Sequence, residues 1–188
     1  MNDKHKVRVS KFLSKHLRHA PAEIGLTLEE GGWVAVELLL AAAANHGCRI
    51  TRAELDEIVT TSDKQRFAFD ESGTFIRASQ GHSVEVDLQL EPTTPPDVLY
   101  HGTTDAVLAI ILRDGLNKMR RQHVHLSNDI ATALKVGGRH GKPVLMSVAA
   151  GKMAAGGFAF FVSANGVWLT DSVPPRYLTV VSPETRPT

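Results

Sequence analysis

Glu91-Pro92-Thr93-Thr94-Pro95-Pro96-Asp97 carries three prolines and, apart from their rings, no apolar side chain. Proline fixes φ and removes a backbone donor, so this stretch reads as an extended connector rather than a helix or a central strand. It falls near the middle of a 188-residue chain, which is long enough for two small domains with modest cores. The expected organisation is therefore one lobe over residues 1–91, a linker at 92–97 and a second lobe over 98–188.

Upstream of the prolines the rhythm is helical. Val9, Phe12, Leu13 and Leu17 recur at helical spacing, and Pro21 stops the pattern. Residues 37–44 are rich in helix formers and end at Asn45-His46-Gly47, a helix stop. Thr51 and Glu54 make a capping-box pair ahead of Leu55, Ile58 and Val59, which starts a third helix. Residues 66–69 and 74–77 then read as two strands around Asp70-Glu71-Ser72-Gly73. Three helices followed by a hairpin predict a winged helix.

Downstream, short β-rich runs at 98–100, 123–126, 144–148, 158–162, 167–169 and 177–181 alternate with two helices, at 105–112 and 129–136, the second capped by Ser127 or Asn128. That pattern predicts an α+β domain. The segment 149–157 is small and glycine-rich and has no assigned role.

Composition narrows the function classes. Hydrophobic residues are 43% and charged residues 22% of the chain, which fits a globular fold and excludes a disordered chain or a fibre. A formal net charge of +1 excludes bulk polycationic binding, so any basic surface is local. The single cysteine, Cys48, excludes an internal disulfide and a four-cysteine zinc site, and suits a reducing compartment. The longest apolar run, residues 38–44, is too short to span a bilayer, and no secretion signal is evident. A soluble cytoplasmic monomer is expected. Gly-x-Gly-x-x-Gly after a strand, the phosphate-binding Gly-x4-Gly-Lys loop and the Gly-x-Ser-x-Gly elbow are all absent.

Arginines and histidines instead gather in four places. Leu17-Arg18-His19-Ala20-Pro21 ends a helix bearing Lys4, Lys6, Arg8, Lys11 and Lys15 against Asp3 alone. Such a patch attracts phosphate, which arginine grips with a bidentate fork, although cations also simply favour a helix C-terminus. Asp63-Lys64-Gln65-Arg66-Phe67 enters the hairpin, where strand alternation would project Lys64 and Arg66 together, either toward a ligand or into solvent. Tyr100-His101-Gly102-Thr103 ends a strand with hydrogen-bonding groups and a glycine that permits close approach; a structural turn is the other reading. In Met119-Arg120-Arg121-Gln122-His123-Val124-His125-Leu126-Ser127, His123 and His125 share a strand face. Zinc shared with His101 is one reading, but no further ligand stands at zinc-like spacing, so no metal is expected and polar site-lining is preferred.

Taken together, Leu-Arg-His-x-Pro at 17–21, Lys-x-Arg-Phe at 64–67, Tyr-His-Gly-Thr at 100–103, Met-x-Arg-x-His-Val-His-Leu-Ser at 119–127, Gly-Arg-His-Gly at 138–141 and Asn-Gly-Val-Trp-Leu-Thr at 165–170 are specific. The chain resembles the RNA 2′-phosphotransferase family over nearly its full length. The resemblance implies an N-terminal winged-helix RNA-binding lobe and a C-terminal ADP-ribosyltransferase-like lobe of mixed α/β structure that takes NAD as co-substrate. It implies a catalytic set of Arg18, His19, Arg66 and Arg121, and an NAD site at His101, Gly102, Thr103, Ser127 and Arg139. Lys15 and Lys64 are expected to contact RNA bearing an internal 2′-phosphate.

The chemistry suits these residues. A 2′-phosphate has a second pKa of about 6 and is mostly dianionic at neutral pH, so it needs no activating base. Positioned guanidinium groups then supply orientation and charge stabilisation, and His19 is the member able to transfer a proton near neutrality. Protein-modifying ADP-ribosyltransferases use a late glutamate, and after Phe158 this chain has only Asp171 and Glu184. Two rival readings are an ADP-ribosyltransferase acting on terminal nucleic-acid phosphates or on protein, and a non-catalytic winged-helix nucleic-acid binder.

Overall fold

A computed structural model describes residues 1–62, 64–139 and 141–182. The chain divides into two compact units, Met1–Gln89 and Leu90–Thr188. Each has its own core, and the whole is mixed α and β, with six α-helices among the described residues and several small antiparallel sheets.

In the first unit, helix α1 spans Asp3–His16. Its start is fixed by Asn2, whose side chain accepts from the His5 amide, and its apolar stripe buries Val9 and Leu13. Strand β1 (Val34–Ala35) leads directly into α2 (Val36–Asn45). Helix α3 (Arg52–Thr61) opens on the expected capping box, with Thr51 and Glu54 each serving the other's backbone amide. The hairpin follows as β2 (Phe67–Phe69) and β3 (Phe75–Ala78), in a sheet of order β1-β3-β2. Leu13, Leu17, Leu39, Leu55, Ile58 and Ile76 are fully buried at its centre. Each contributes roughly 1.5–3 kcal/mol by leaving water.

In the second unit, β4 (Leu99–Thr104) runs into α4 (Asp105–Asp114), then β5 (Leu116–Asn117) and β6 (Val124–Leu126). Helix α5 (Ile130–Gly137), β7 (Pro143–Val148) and α6 (Ala150–Ala155) follow. The chain closes through β8 (Phe161–Val162), β9 (Trp168–Thr170), β10 (Ser172–Val173) and β11 (Leu178–Val181). Three antiparallel sheets result, ordered β11-β7-β4, β6-β9-β8 and β10-β5. The pairing of Tyr100 with Ser127 links the first two. Leu99, Met146, Val148, Met153 and Phe160 are buried between them. The proline segment is fastened to this unit, with the Thr93 amide donating to Phe160 O and the Gly151 amide to Asp97 O.

Several expectations need correction. The cap of α5 is Asp129, whose carboxylate accepts from Ala131 and Thr132; Ser127 instead closes a tight turn with the backbone of Asp129. A carboxylate serves two N-terminal amides better than one hydroxyl. The small-residue segment 149–157 contains α6, anchored by the buried Met153. The strand alternation expected across Lys64 and Arg66 fails, because Gln65 has φ +38° and β2 begins only at Phe67. Among the described residues no helix is long and apolar enough to cross a membrane.

Candidate active site

Arg18 and His19 lie on the turn that follows α1, where the amides of His19 and Ala20 both donate to Lys15 O. Leu17 is fully buried just before them, which pins the start of that turn. The carbonyl of Arg18 accepts from the Ser83 amide at 2.9 Å and the Val84 amide at 3.3 Å. The Arg18 guanidinium donates through Nη2 to Arg66 O at 3.1 Å and lies 5.8 Å from the centre of the Phe67 ring. Arg66 O also receives the Ser79 amide at 2.9 Å, and the Ser79 hydroxyl donates to Gln65 O. His19 Nδ1 sits 2.9 Å from the Ser83 hydroxyl.

One stretch, residues 79–84, therefore ties the Arg18-His19 turn to the Arg66 backbone. Sequence reasoning passed over it. Ser79-Gln80-Gly81-His82-Ser83 follows a strand, is polar and has no periodicity, so it reads as a plain loop. The one available signal was Gly81, whose φ of +87° suits glycine. His82 is 1% exposed. Burial, aided by the positive charges of Arg18, His19 and Arg77, pushes its pKa down to about 4, so it is neutral at physiological pH.

The flanking lysines differ. Lys15 forms an exposed ion pair with Glu23 and so is partly neutralised, although such pairs contribute little to stability. Lys64 stands in the turn before β2.

In the second unit the expected residues line β4 and the segments beside it. Tyr100 and Ser127 exchange both backbone hydrogen bonds, at 2.7 and 2.9 Å, which brings Ser127 alongside β4. His101 Nδ1 lies 3.1 Å from His125 O. A carbonyl only accepts, so His101 donates there; burial lowers its pKa, leaving Nε2 as an acceptor. Arg121 Nη1 donates to His125 Nδ1 at 2.6 Å. Guanidinium only donates, so His125 carries its proton on Nε2.

Burial and the neighbouring charge of Arg139 both lower the Arg121 pKa, which marks two guanidinium groups close together. Like charges in such proximity favour a bound anion. Arg139 follows the end of α5, and the adjoining His140 of the Gly-Arg-His-Gly motif lies outside the described residues. Thr103 is buried. A Cβ on Gly102 would stand 1.7 Å from Ala133 O, so this glycine admits the α5 backbone against β4. His123 meets the Phe161 ring edge-on, and His101 reaches a main-chain carbonyl. Among the described residues no three histidine, cysteine or acidic side chains are grouped to hold a metal ion. Asp171 is exposed beside Lys118, at 3.5 Å, and Glu184 lies outside the described residues.

The first unit thus gathers Arg18, His19 and the Arg66 backbone, and the second gathers His101, Arg121, His125, Ser127 and Arg139. Each cluster is suited to binding anions. The family described as RNA 2′-phosphotransferase, Tpt1 / KptA family, matches residues 4–172. A probable RNA 2′-phosphotransferase of Trichormus variabilis is 59% identical over 178 residues, covering 95% of this chain and 98% of that protein. One from Nostoc punctiforme is 58% identical with the same coverage. One from Streptomyces coelicolor is 56% identical over 183 residues, covering 97% of this chain and all of its own.

Proposed function

We propose, from the premise that this chain belongs to the RNA 2′-phosphotransferase family, that it removes an internal 2′-phosphate from RNA and transfers it to NAD. The observation that carries this reading is the wiring of Arg18, His19 and Arg66 through residues 79–84. A stretch of loop that holds two arginines and a histidine in register has the form expected of a phosphate cradle.

On this reading the first unit is a winged-helix RNA-binding lobe and the second an ADP-ribosyltransferase-like lobe. The donor set around β4 suits a dinucleotide: His101 Nε2 accepts from a hydroxyl, Ser127 offers a hydroxyl, and Arg139 a guanidinium for diphosphate. NAD supplies an anomeric carbon bonded to nicotinamide, a ring that departs neutral. The RNA 2′-phosphate, already dianionic, attacks that carbon through one oxygen as the bond to nicotinamide breaks, so no general base is required. Arg18, Arg66 and Arg121 orient the phosphate and offset its charge.

In the second step the ADP-ribose 2″-hydroxyl attacks phosphorus and the bond to the RNA 2′-oxygen breaks. The products are ADP-ribose 1″,2″-cyclic phosphate and RNA with a 2′-hydroxyl. The 2″-hydroxyl proton leaves and the RNA 2′-oxygen gains one, with His19 as the group that handles the proton.

The test is incubation with a short oligonucleotide bearing one internal 2′-phosphate, with and without NAD, followed by mass analysis. Equal amounts of nicotinamide, 2′-hydroxyl RNA and the cyclic phosphate, formed only with NAD, are expected. Loss of phosphate without NAD contradicts the proposal. ADP-ribose retained on the acceptor as the end product contradicts it too, and identifies an ADP-ribosyltransferase instead.

A further inference from the structure

Two helices of the first unit carry opposite charge. Helix α1 holds Lys4, Lys6, Arg8, Lys11 and Lys15 against Asp3, whereas α3 holds Glu54, Asp56 and Glu57 against Arg52. The acids of α3 already have partners: Glu54 lies 3.3 Å from His5 Nε2, Glu57 lies 3.7 Å from Lys6 Nζ, and Asp56 pairs with Arg52 at 2.8 Å. These contacts set α1 beside α3 and neutralise the α1 flank that bears Lys6.

The other cations of α1 form a row. Lys4, Arg8, Lys11 and Lys15 are all exposed and follow one another at intervals of four, three and four residues, so they fall within about 60° of one helix face and span about 16 Å. Val9 and Leu13, on the other side of the helix, are fully buried. Among the described residues Lys15 pairs with Glu23, and no carboxylate pairs with Lys4, Arg8 or Lys11. Such a row is unfavourable for the helix itself, because like charges three or four residues apart repel and a cation in the first turn, such as Lys4, opposes the helix dipole. A polyanion laid along it relieves both. The row also leads to the proposed phosphate cradle, since Lys15 O accepts from the amides of His19 and Ala20.

We propose that the exposed face of α1, and not α3, is the track for the RNA backbone, with Lys4, Arg8 and Lys11 meeting phosphates of the strand whose 2′-phosphate lies at Arg18 and His19. Helix-turn-helix folds present a recognition helix to nucleic acid. In the winged helix proposed above that place belongs to α3, whose surplus of acids repels phosphate. Contacts to backbone phosphates carry no sequence information, so the track positions RNA without selecting its bases. The surface stands on charge and geometry; the placement of the 2′-phosphate rests on the reaction proposed above.

The experiment measures binding of the full chain to a dodecamer RNA with a central 2′-phosphate, without NAD so that no turnover occurs, over a series of salt concentrations. The triple variant Lys4→Gln, Arg8→Gln, Lys11→Gln should bind at least about tenfold more weakly near physiological salt, and the slope of log affinity against log salt should flatten by about 2, as the loss of three single-strand phosphate contacts requires. Glutamine keeps helix propensity, so the fold is retained. A dinucleotide bearing the 2′-phosphate has too little strand to follow α1, so its binding should not fall in step with that of the dodecamer. Arg52→Gln, on α3, should leave the slope for the dodecamer unaltered. A wild-type slope in the triple variant overturns the proposal, as does an equal loss for the dinucleotide or a flattened slope in Arg52→Gln. The expected slopes in a protein that leaves the 2′-phosphate in place once NAD is added uphold the track and remove the proposed reaction instead.

Discussion

The first unit fastens the backbone around Arg18, His19 and Arg66 one hydrogen bond at a time, whereas the second carries its expected site residues on a strand wedged against a helix. The Ser83 and Val84 amides donate to Arg18 O, the Ser79 amide donates to Arg66 O, and the Ser83 hydroxyl meets His19 Nδ1. His101 and Thr103 flank Gly102, whose missing side chain lets β4 lie directly on the α5 backbone. Gly137 makes the reciprocal approach, since a Cβ there would stand 2.7 Å from Thr103 O. Individual hydrogen bonds fail singly and each is worth about 1 kcal/mol. Backbone-to-backbone packing has no side chain to swing aside, so it fails as a whole.

The widest contrast between the units should come from Gly102→Ala. Its methyl would overlap Ala133 O, so the second unit should lose more than about 4 kcal/mol and cease to fold. Ser79→Ala in the first unit should cost only about 1 kcal/mol. Denaturant titrations of both variants check the difference, and similar costs would erase the distinction.

Next in size is Arg18→Lys. Lysine keeps the charge but not the planar fork that reaches Arg66 O and that, on the proposed reading, grips phosphate. Single-turnover phosphate removal should fall on the order of 100-fold, and wild-type turnover would show that the fork is not used.

Acid should weaken the first unit through His82. Its folded pKa, about 4, lies below the ordinary 6.5, so the unfolded chain binds the proton first. Stability is therefore full above about 6.5 and is lost as pH falls toward 4, by on the order of 3 kcal/mol. The buried His101 of the second unit is shifted in the same direction. Denaturant titrations between pH 4 and 7 should show this slope, and His82→Gln should flatten part of it. An unchanged slope in that variant would assign the effect elsewhere. The smallest effect expected is from Thr51→Ala, which removes the α3 capping box and none of the proposed catalytic residues. It should cost about 1 kcal/mol and leave turnover intact.

The parts of this molecule that were legible in its sequence are those fixed by neighbours in the chain. The α3 capping box spans three residues, the end of α1 is dictated by Leu17 and Pro21, and the β2–β3 hairpin announces itself by its turn. The three-helix and hairpin order was readable for the same reason. What escaped depends on partners distant in sequence. Ser83 meets His19, 64 residues away, and only Gly81 in its own neighbourhood hints at a special turn. Gly102 was visible as a glycine at a strand end, but that its space is filled by α5 is a fact of packing. Strands β1, β5 and β10 have two residues each, too few for any period to register. In α6 the abundance of alanine and glycine left helix and loop indistinguishable until the buried Met153 supplied an anchor.

The account turns on the proposal that Arg18 and His19, adjacent on the turn after α1, act together on the RNA 2′-phosphate. A double-mutant cycle on Arg18→Lys and His19→Ala, read as the single-turnover rate of 2′-phosphate removal from an oligonucleotide in the presence of NAD, tests it most directly. Groups that act on one anion are coupled, so the double variant should be little slower than the slower single variant. Penalties that simply multiply would mean that the two residues act independently, and would contradict the proposal.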